Sequence, residues 1–316
     1  MTGPKPNGEA GVPEEEGREA SSGRMGRVLR VGCSMWAHAA WVGRFLSPGM
    51  RGRELEEYAG WCNAVEGNTT FYATPSAPTV ARWAEQAPAD FRFAFKVPRH
   101  ITHELRLRGD ALELLGEFLD AVEPLGDRIG PVQVQLPPTF GPDSLGALRS
   151  FIGRLPSSHA WVVEFRHPSF FDGGRRHRTV DEWLVDAGIG RVVLDTRPLY
   201  AAPPRSDAAL DERRTKPRLP VVTDVRGAAP IVRVIGADDP TATVEGLRAW
   251  TTQLSEWIVA GREPYVFVHQ PENLESPALA RMIHADVAAI VDGLASLPAP
   301  LPVAPATEVV GQSSLF

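Results

Sequence analysis

The chain has 316 residues, of which 43% are hydrophobic and 23% charged, and its formal net charge is −6. This composition is ordinary for a globular protein, and the acidic balance argues against nonspecific binding of polyanions by the whole surface. No apolar run approaches the roughly 20 residues that span a bilayer, and no signal-peptide pattern begins the chain, so we expect a cytoplasmic protein without a membrane segment.

Residues 1–26 are expected to form a disordered tail. They are rich in Gly, Pro, Glu and Ser and carry no hydrophobic periodicity. Such a composition buries too little apolar surface to offset the entropy of folding. Because Met25 precedes the first apolar run, the sequence leaves open whether translation begins at Met1 or at Met25.

Residues 27–296 carry a repeating pattern of short apolar runs and longer segments of helical period. The runs are typical of buried parallel strands, and the segments between them are typical of amphipathic helices. The eight predicted strands are Leu29–Cys33, Ala64–Gly67, Phe91–Val97, Val132–Leu136, Trp161–Phe165, Arg191–Asp195, Ile231–Ile235 and Tyr265–His269. The predicted helices lie near 52–62, 77–86, 110–123, 143–154, 179–187, 245–260 and 276–294. Two connections are predicted as long loops, 34–51 and 196–230, the second with at most a short helix.

Eight strands that alternate with helices predict an α/β fold, namely a single (β/α)8 TIM-like barrel over residues 27–296. A doubly wound open sheet is the alternative. It requires a glycine-rich phosphate turn after its first strand, and the segment GCSMWAH at that position is not one. The chain also contains no Walker-type phosphate loop.

Polar side chains concentrate at the C-terminal ends of the predicted strands, where this fold places its ligand sites. They are Glu66, Asn68, Lys96, His103, Gln135, Glu164, Arg166, His167, Asp195, Arg233 and His269. Burial of an unpaired ionisable group is unfavourable, so we expect these groups to pair with each other and with a ligand. The alternative is a self-satisfied layer of ion pairs, such as Glu66–Lys96 and Glu164–Arg233, that only closes the barrel.

Four of these residues are candidates for catalysis: Glu66, Lys96, Glu164 and His269. His269 is a candidate general acid or base because imidazole titrates near neutral pH. Lys96 alternates with phenylalanines and is expected to point inward, where it would hold an anion, act as a structural cation, or form a Schiff base if its pKa is lowered. Glu66 and Glu164 could form an acid/base pair across the mouth of the barrel. The other seven residues are predicted to bind the ligand.

The pattern of potential metal ligands predicts no tight metal site, because no two of them lie at ligand spacing on one element. A weakly bound divalent cation stays open, and no cofactor is predicted. Cys33 and Cys62 are expected to be buried, inert thiols.

Several blocks of the sequence occur in the order in which they occur in one known family: EGNTTFY, FAFKVPRHITH, VQLPP and VVEFRHPSF. Over about residues 28–292 the chain resembles domain-of-unknown-function family 72, the YecE-like proteins. The resemblance implies a TIM-like barrel and assigns no reaction. The positions that fit the family pattern are Glu66, Asn68, Thr70, Phe71, Tyr72, Lys96, Pro98, Thr102, His103, Gln135, Glu164, Arg166 and His167.

Residues 297–316 are expected to form a flexible Pro-rich tail that ends in QSSLF. Gln312, Leu315 and Phe316 match the Gln-x-x-Leu-Phe peptide by which bacterial DNA polymerases and repair proteins dock on the sliding clamp. A peptide at the end of a flexible linker is suited to such tethering. A chance match is the alternative.

Three functions stay open from the sequence. The first is binding or turnover of a phosphate-bearing or nucleic-acid ligand, linked to DNA repair, because arginines cluster in three loops at the strand ends. The second is a sugar or carboxylate isomerase or hydrolase that uses Glu66 and Glu164. The third is a non-catalytic sensor or interaction protein, and the fold does not choose among the three.

Overall fold

A computed structural model of the chain describes residues 1–3, 26–300 and 302–303. Met25 and most of the predicted N-terminal tail lie outside the described residues, as do Gln312, Leu315 and Phe316. None of the described helices combines the length and the apolarity that are needed to cross a membrane.

All eight predicted strands are present, with bounds within two residues of the predicted ones. They are β1 (Arg30–Cys33), β2 (Ala64–Gly67), β3 (Arg92–Phe95), β4 (Val132–Gln135), β5 (Trp161–Glu164), β6 (Gly190–Asp195), β7 (Ile231–Ile235) and β8 (Tyr265–His269). The paired strands run parallel. The prediction of an α/β fold is therefore confirmed.

The α-helices follow the strands along the chain. They are α1 (Glu54–Trp61), α2 (Thr69–Tyr72), α3 (Ala77–Gln86), α4 (Ala111–Val122), α5 (Leu145–Ile152), α6 (Arg175–Asp186), α7 (Arg197–Ala201), α8 (Asp207–Thr215), α9 (Pro240–Arg248), α10 (Thr251–Val259) and α11 (Ser276–Ala288). A π-helical turn spans His100–Glu104, and 3-10 turns span Ala39–Trp41, Glu123–Arg128, Pro142–Ser144 and Pro168–Phe170. Two predictions differ from the structure: the connection 196–230 contains two helices, α7 and α8, and the predicted helix 245–260 is divided into α9 and α10.

Backbone hydrogen bonds join six strands into one curled parallel sheet in the order β1-β8-β7-β6-β5-β4, and β2 and β3 form a separate pair. Two isolated bridges, Phe93–Ile129 and Lys96–Gln133, connect β3 to the segment of β4. Among the described residues no backbone ladder joins β1 to β2. The predicted eight-stranded barrel is therefore present only as a six-stranded curled sheet and a two-stranded pair.

Side chains connect β1 to the segment of β2 where backbone pairing is absent. Asn63 Oδ1 accepts a hydrogen bond from Val31 N at 2.8 Å, and Asn63 Nδ2 donates to Leu29 O at 2.9 Å. The Tyr58 hydroxyl accepts from Cys33 N at 2.7 Å. These bonds satisfy the backbone groups along β1 that would otherwise be buried without partners.

The strand period explains why charged groups share one layer. A small apolar cluster takes residues from six strands: Ala64, Ala94, Val162, Val192, Ile231, Tyr265 and Phe267. Alternate residues of a strand face the same side. The residues two positions further along five of these strands are Glu66, Lys96, Glu164, Arg233 and His269. The six-stranded sheet and the β2–β3 pair therefore place these residues together, toward the carboxyl ends of their strands.

Candidate functional site

Arg233 joins the two buried glutamates of the layer. Its Nε lies 2.5 Å from Glu66 Oε1, its Nη2 lies 2.9 Å from Glu66 Oε2, and its Nη1 lies 3.2 Å from Glu164 Oε2. Both carboxylates are completely buried. Burial alone would raise the pKa of each carboxyl, but the neighbouring cations outweigh it and hold both pKa values below their ordinary range. Glu66 and Glu164 are therefore anions at neutral pH.

This charge state bears on the predicted pairing of Glu66 with Glu164 as acid and base. Such a pair requires one carboxyl whose pKa is raised, so that it carries a proton to donate near neutral pH. Here Arg233 binds both carboxylates and stabilises the ionised form of each. The geometry favours two fixed anions over an acid/base pair.

Two further cations border the same carboxylates. Arg166 Nε donates to Glu164 Oε1 at 2.6 Å, and its Nη2 donates to Gln135 Oε1 at 3.1 Å. Lys96 Nζ lies 3.6 Å from Glu66 Oε2, which is too far for a hydrogen bond. Three cations, including Arg233, thus share two carboxylates, and the layer carries one positive charge in excess.

The excess positive charge of the layer affects the pKa of Lys96. Burial lowers the pKa of its ammonium to about 7, and repulsion from Arg233 acts in the same direction against the attraction of the two glutamates. An ordinary lysine has a pKa of about 10.4. Lys96 therefore exists as both ammonium and free amine near neutral pH.

His269 lies beside the end of β1. The register pairs Cys33 with Val268, so Ser34 and His269 are the next neighbours along the two strands. Ser34 Oγ lies 3.0 Å from His269 Nδ1, and Glu212 Oε1 lies 3.0 Å from Nε2. A neutral imidazole can accept from the hydroxyl at Nδ1 and donate to the carboxylate at Nε2. This arrangement suits the proton-transfer role predicted for His269.

The connection between β6 and β7 covers the site. It supplies Glu212 from α8 and Lys216 just after it, and Lys216 Nζ lies 3.3 Å from Glu212 Oε2. Burial lowers the pKa of Lys216, and repulsion from Arg233 and Arg166 acts in the same direction against the attraction of Glu212. The side chains of His269 and Glu212 are only 15% and 18% exposed. A ligand must displace part of this cover or fit beneath it.

Asn68 is a further predicted residue that contacts the carboxylate layer, whereas the described contacts of His103 are with Thr102 and Phe71. Asn68 Nδ2 lies 3.0 Å from both Ser34 O and Glu66 Oε2, so it links the end of β1 to the carboxylate layer. His103 lies on the π-helical turn. Burial, with repulsion from Arg166, lowers the pKa of its imidazole to about 4, which leaves the ring neutral at neutral pH.

Asp195 and His167 lie apart from these residues. The Asp195 carboxylate accepts from Trp250 Nε1 at 2.9 Å and pairs with Arg197 at 2.7 Å. His167 Nδ1 accepts from Ser169 N at 3.2 Å and so caps the following 3-10 turn. In the described contacts both side chains serve local structure, and neither contacts the carboxylate layer.

The potential metal ligands do not cluster. The part of the chain that the structure describes has no group of three or more His, Cys, Asp and Glu side chains that could hold a metal ion. Cys33 and Cys62 are buried free thiols, as predicted. Burial, with the neighbouring Cys62, raises the pKa of the Cys33 thiol, so it is held protonated and unreactive.

Two residues of the site were not predicted, Ser34 and Glu212, and Lys216 was predicted only as one of the basic residues of the long connection 196–230. Glu212 and Lys216 lie in a connection without a strand pattern, so nothing in the periodicity points to them. One compositional signal was available. Of the 33 lysines and arginines only three are lysines, Lys5, Lys96 and Lys216, and two of these three lie at the site.

Comparisons with known proteins agree with the sequence blocks. The family model described as "Protein of unknown function DUF72" matches residues 30–303. The protein described as UPF0759 protein YecE from Escherichia coli K12 is 39% identical over 289 residues, which cover 92% of this chain and 100% of the relative. The protein of the same description from Escherichia coli O157:H7 is 38% identical over the same shares.

Solved structures of DUF72 family proteins share the fold. The protein from Thermotoga maritima MSB8 aligns with a TM-score of 0.61 at 22% identity, over 81% of this chain and 99% of its own. The protein from Enterococcus faecalis V583 aligns with a TM-score of 0.60 at 18% identity, over 83% of this chain and 97% of its own. At these identities the likeness shows the fold alone.

Proposed function

The chain belongs to the DUF72 family, whose description assigns no reaction, and we propose from its own site that it binds a small anion with a phosphate or carboxylate group. One observation carries this proposal. Among the described residues, the cationic side chains of the layer (Lys96, Arg166 and Arg233) share the two carboxylates of Glu66 and Glu164, so one positive charge lacks a counterion whenever Lys96 is protonated. Because an uncompensated buried charge is unfavourable, an anionic ligand stabilises the site.

The donors in the layer fit such a ligand. Arg166 offers five N–H donors in a planar fork, and Glu164 and Gln135 engage only two of its nitrogens. The Lys96 ammonium has its acidic neighbour at 3.6 Å, so it can turn its hydrogens toward a closer acceptor. A guanidinium fork beside a lysine ammonium is suited to carboxylate and phosphate oxygens.

The enclosure of the site favours a small ligand over a nucleic acid. The side chains of Lys96 and Arg166 are only 5% and 14% exposed. Three of the loop arginines behind the predicted nucleic-acid ligand, Arg106, Arg205 and Arg213, contact side chains or carbonyls of neighbouring segments.

We also propose that the eight strands act as one closed (β/α)8 barrel around this layer. Support comes from the two bridges that connect β3 to the segment of β4, and from the Asn63 and Tyr58 side chains at the edge between β1 and β2. A closed barrel would keep water from the carboxylate layer on all sides except its covered mouth.

The proposal is tested by calorimetric titration of inorganic sulfate into the protein and its Lys96 variants. Lys96→Met removes the excess charge and is expected to weaken binding about 10- to 100-fold, the equivalent of one charge-assisted hydrogen bond. Lys96→Arg keeps the charge and is the matched control, expected to bind sulfate. Equal affinity of the wild-type protein and Lys96→Met would overturn the proposal. Salt-sensitive binding of labelled DNA with no sulfate binding would favour a nucleic-acid ligand instead.

A further inference from the structure

The choice of lysine at the site carries information beyond charge. Arginine is the usual cation of this chain, and only three of its 33 basic Lys and Arg residues are lysines. Arginine stays protonated in proteins, whereas lysine can lose its proton and become a nucleophile. A position that needs only a buried positive charge is served by arginine, as at Arg233 in the same layer. Lysine at position 96 provides a group that arginine cannot provide.

The surroundings of Lys96 favour its free amine. Its side chain is nearly enclosed, and no acidic oxygen of the described residues lies within hydrogen-bonding distance of its ammonium. Arg233 takes the closer positions on both Glu66 and Glu164. A lysine that is buried beside other cations releases its proton more readily, which is how proteins activate lysine as a nucleophile. The pKa of Lys96, about 7, agrees with this geometry.

We propose that Lys96 forms an imine with an aldehyde or ketone whose neighbouring group is a carboxylate or phosphate, such as a 2-oxo acid. The inference rests on the proposed anion site and names the class of ligand that this site takes. The carbonyl carbon meets Lys96 Nζ, and the anionic group lies toward Arg166.

The step is balanced within the site and water. The amine nitrogen forms a bond to the carbonyl carbon, and the carbon–oxygen bond then breaks. The oxygen leaves as water with both hydrogens of the amine. The imine takes up one proton from solvent and becomes a cation. This cation restores the single excess positive charge of the layer, and the anionic group of the substrate neutralises it.

Lys216 provides a contrast within the same site. Its ammonium lies 3.3 Å from Glu212 Oε2 and its side chain is 21% exposed, so it has a close counterion and better hydration. Both features favour the charged, unreactive form over the free amine. The inference therefore distinguishes one lysine of the site from the other.

The experiment uses glyoxylate as the probe and borohydride as the trap, near neutral pH, on the full chain. Hydride addition to an imine leaves a stable secondary amine, which peptide mass spectrometry assigns to Lys5, Lys96 or Lys216. We expect the carboxymethyl adduct at Lys96 above the other two lysines. The adduct should be lost in Lys96→Arg and kept in the control Lys5→Arg.

Sulfate binding by the same samples separates this inference from the proposed function. No adduct at Lys96 in a protein that binds sulfate would overturn the imine and leave the anion site in place. Equal adducts on all three lysines would overturn it also, because they would reflect solution reactivity. The inference expects the adduct at Lys96 in the wild-type protein and in Lys5→Arg, both of which should bind sulfate with equal affinity, and no adduct at position 96 in Lys96→Arg, since arginine lacks the amine.

Discussion

Lys96 shows how one residue acquires its chemistry from its neighbours. The strand pattern predicted that it points inward, and the structure places it there, beside Glu66. Its altered proton affinity could not be predicted from the sequence, because it depends on burial and on Arg233, which lies on a strand more than a hundred residues away. Local periodicity gives the direction of a side chain, and tertiary contacts set its charge.

The affinity for sulfate is expected to fall as the pH rises through the pKa of Lys96, about 7. The ammonium is the form that balances the anion, so binding is strongest below this pH and is lost above it. Each pH unit above the pKa should weaken binding up to about tenfold. Sulfate itself does not change charge in this range. Calorimetry across the range should show a flat profile for Lys96→Arg, and an equal slope in both proteins would contradict the assignment.

Arg233→Met is expected to destabilise the fold by about 3–5 kcal/mol, because it leaves two buried carboxylates without their shared partner. The loss should shrink at acidic pH, where protonation removes the uncompensated charges. Urea denaturation measures the free energy of unfolding. Arg248→Met is the control, since Arg248 pairs with Asp286 on the surface and such pairs contribute about 1 kcal/mol or less. A similarly small loss in the free energy of unfolding of both variants would contradict the claim that Arg233 neutralises the two buried carboxylates.

At the scale of elements, the sequence predicts the strands but not the helices of the connection between β6 and β7 that covers the site. Each strand is a short run of apolar residues that is recognisable from its own sequence, so its bounds can be predicted without knowledge of tertiary contacts. The helices α7 and α8 lie in a stretch rich in proline and arginine, where no apolar stripe marks them. They are held by tertiary contacts, such as Glu212 with His269. Glu212, the site residue that α8 supplies, was missed for the same reason.

The edge between β1 and β2 depends on a glycine. A Cβ at Gly32 would lie 1.9 Å from Ala64 O, so any larger residue forces the two strands apart. Gly32→Ala is expected to destabilise the protein by about 3 kcal/mol or more, at the upper end of overpacking effects. Thermal unfolding monitored by circular dichroism measures the change.

Gly116→Ala is the matched control for that variant. Gly116 lies inside α4, and a Cβ at this position would meet no atom within 4 Å beyond the backbone of its own helix, so alanine fits there. Alanine at an interior helix position should be neutral or should stabilise by about 0.5–1 kcal/mol. A Gly32→Ala protein as stable as this control would mean that β1 and β2 do not need their close approach.

At the scale of the whole molecule, the order of strands was predictable and their closure was not. Eight apolar runs imply eight parallel strands, but two junctions lack a regular ladder. One junction relies on Asn63 and Tyr58, whose side chains bond to the backbone of β1. No sequence pattern marks Asn63 or Tyr58 as a partner of a strand backbone. Their hydrogen bonds to β1, which replace a backbone ladder, are therefore seen only in the structure.

We propose that the C-terminal QSSLF, outside the described residues, docks the chain on a bacterial sliding clamp. Replacement of both Leu315 and Phe316 by alanine should abolish binding to an immobilised clamp, because each apolar anchor contributes about 1.5–3 kcal/mol when buried. Surface plasmon resonance compares the full chain with this variant. The sulfate affinity should be unchanged by the replacement. Clamp binding that persists in the variant, or none by the intact chain, would assign the match to chance.

The most direct test of the anion site is a nuclear magnetic resonance titration of the chain with 13C-labelled lysine. Its three lysines give three side-chain signals, and the Lys96 signal is the one that Lys96→Arg removes. This signal should titrate near pH 7, and sulfate should move its midpoint to higher pH, because the bound anion stabilises the ammonium. Two results would contradict the proposed anion site. One is titration of Lys96 near the ordinary lysine pKa of about 10.4, and the other is a midpoint that sulfate does not move.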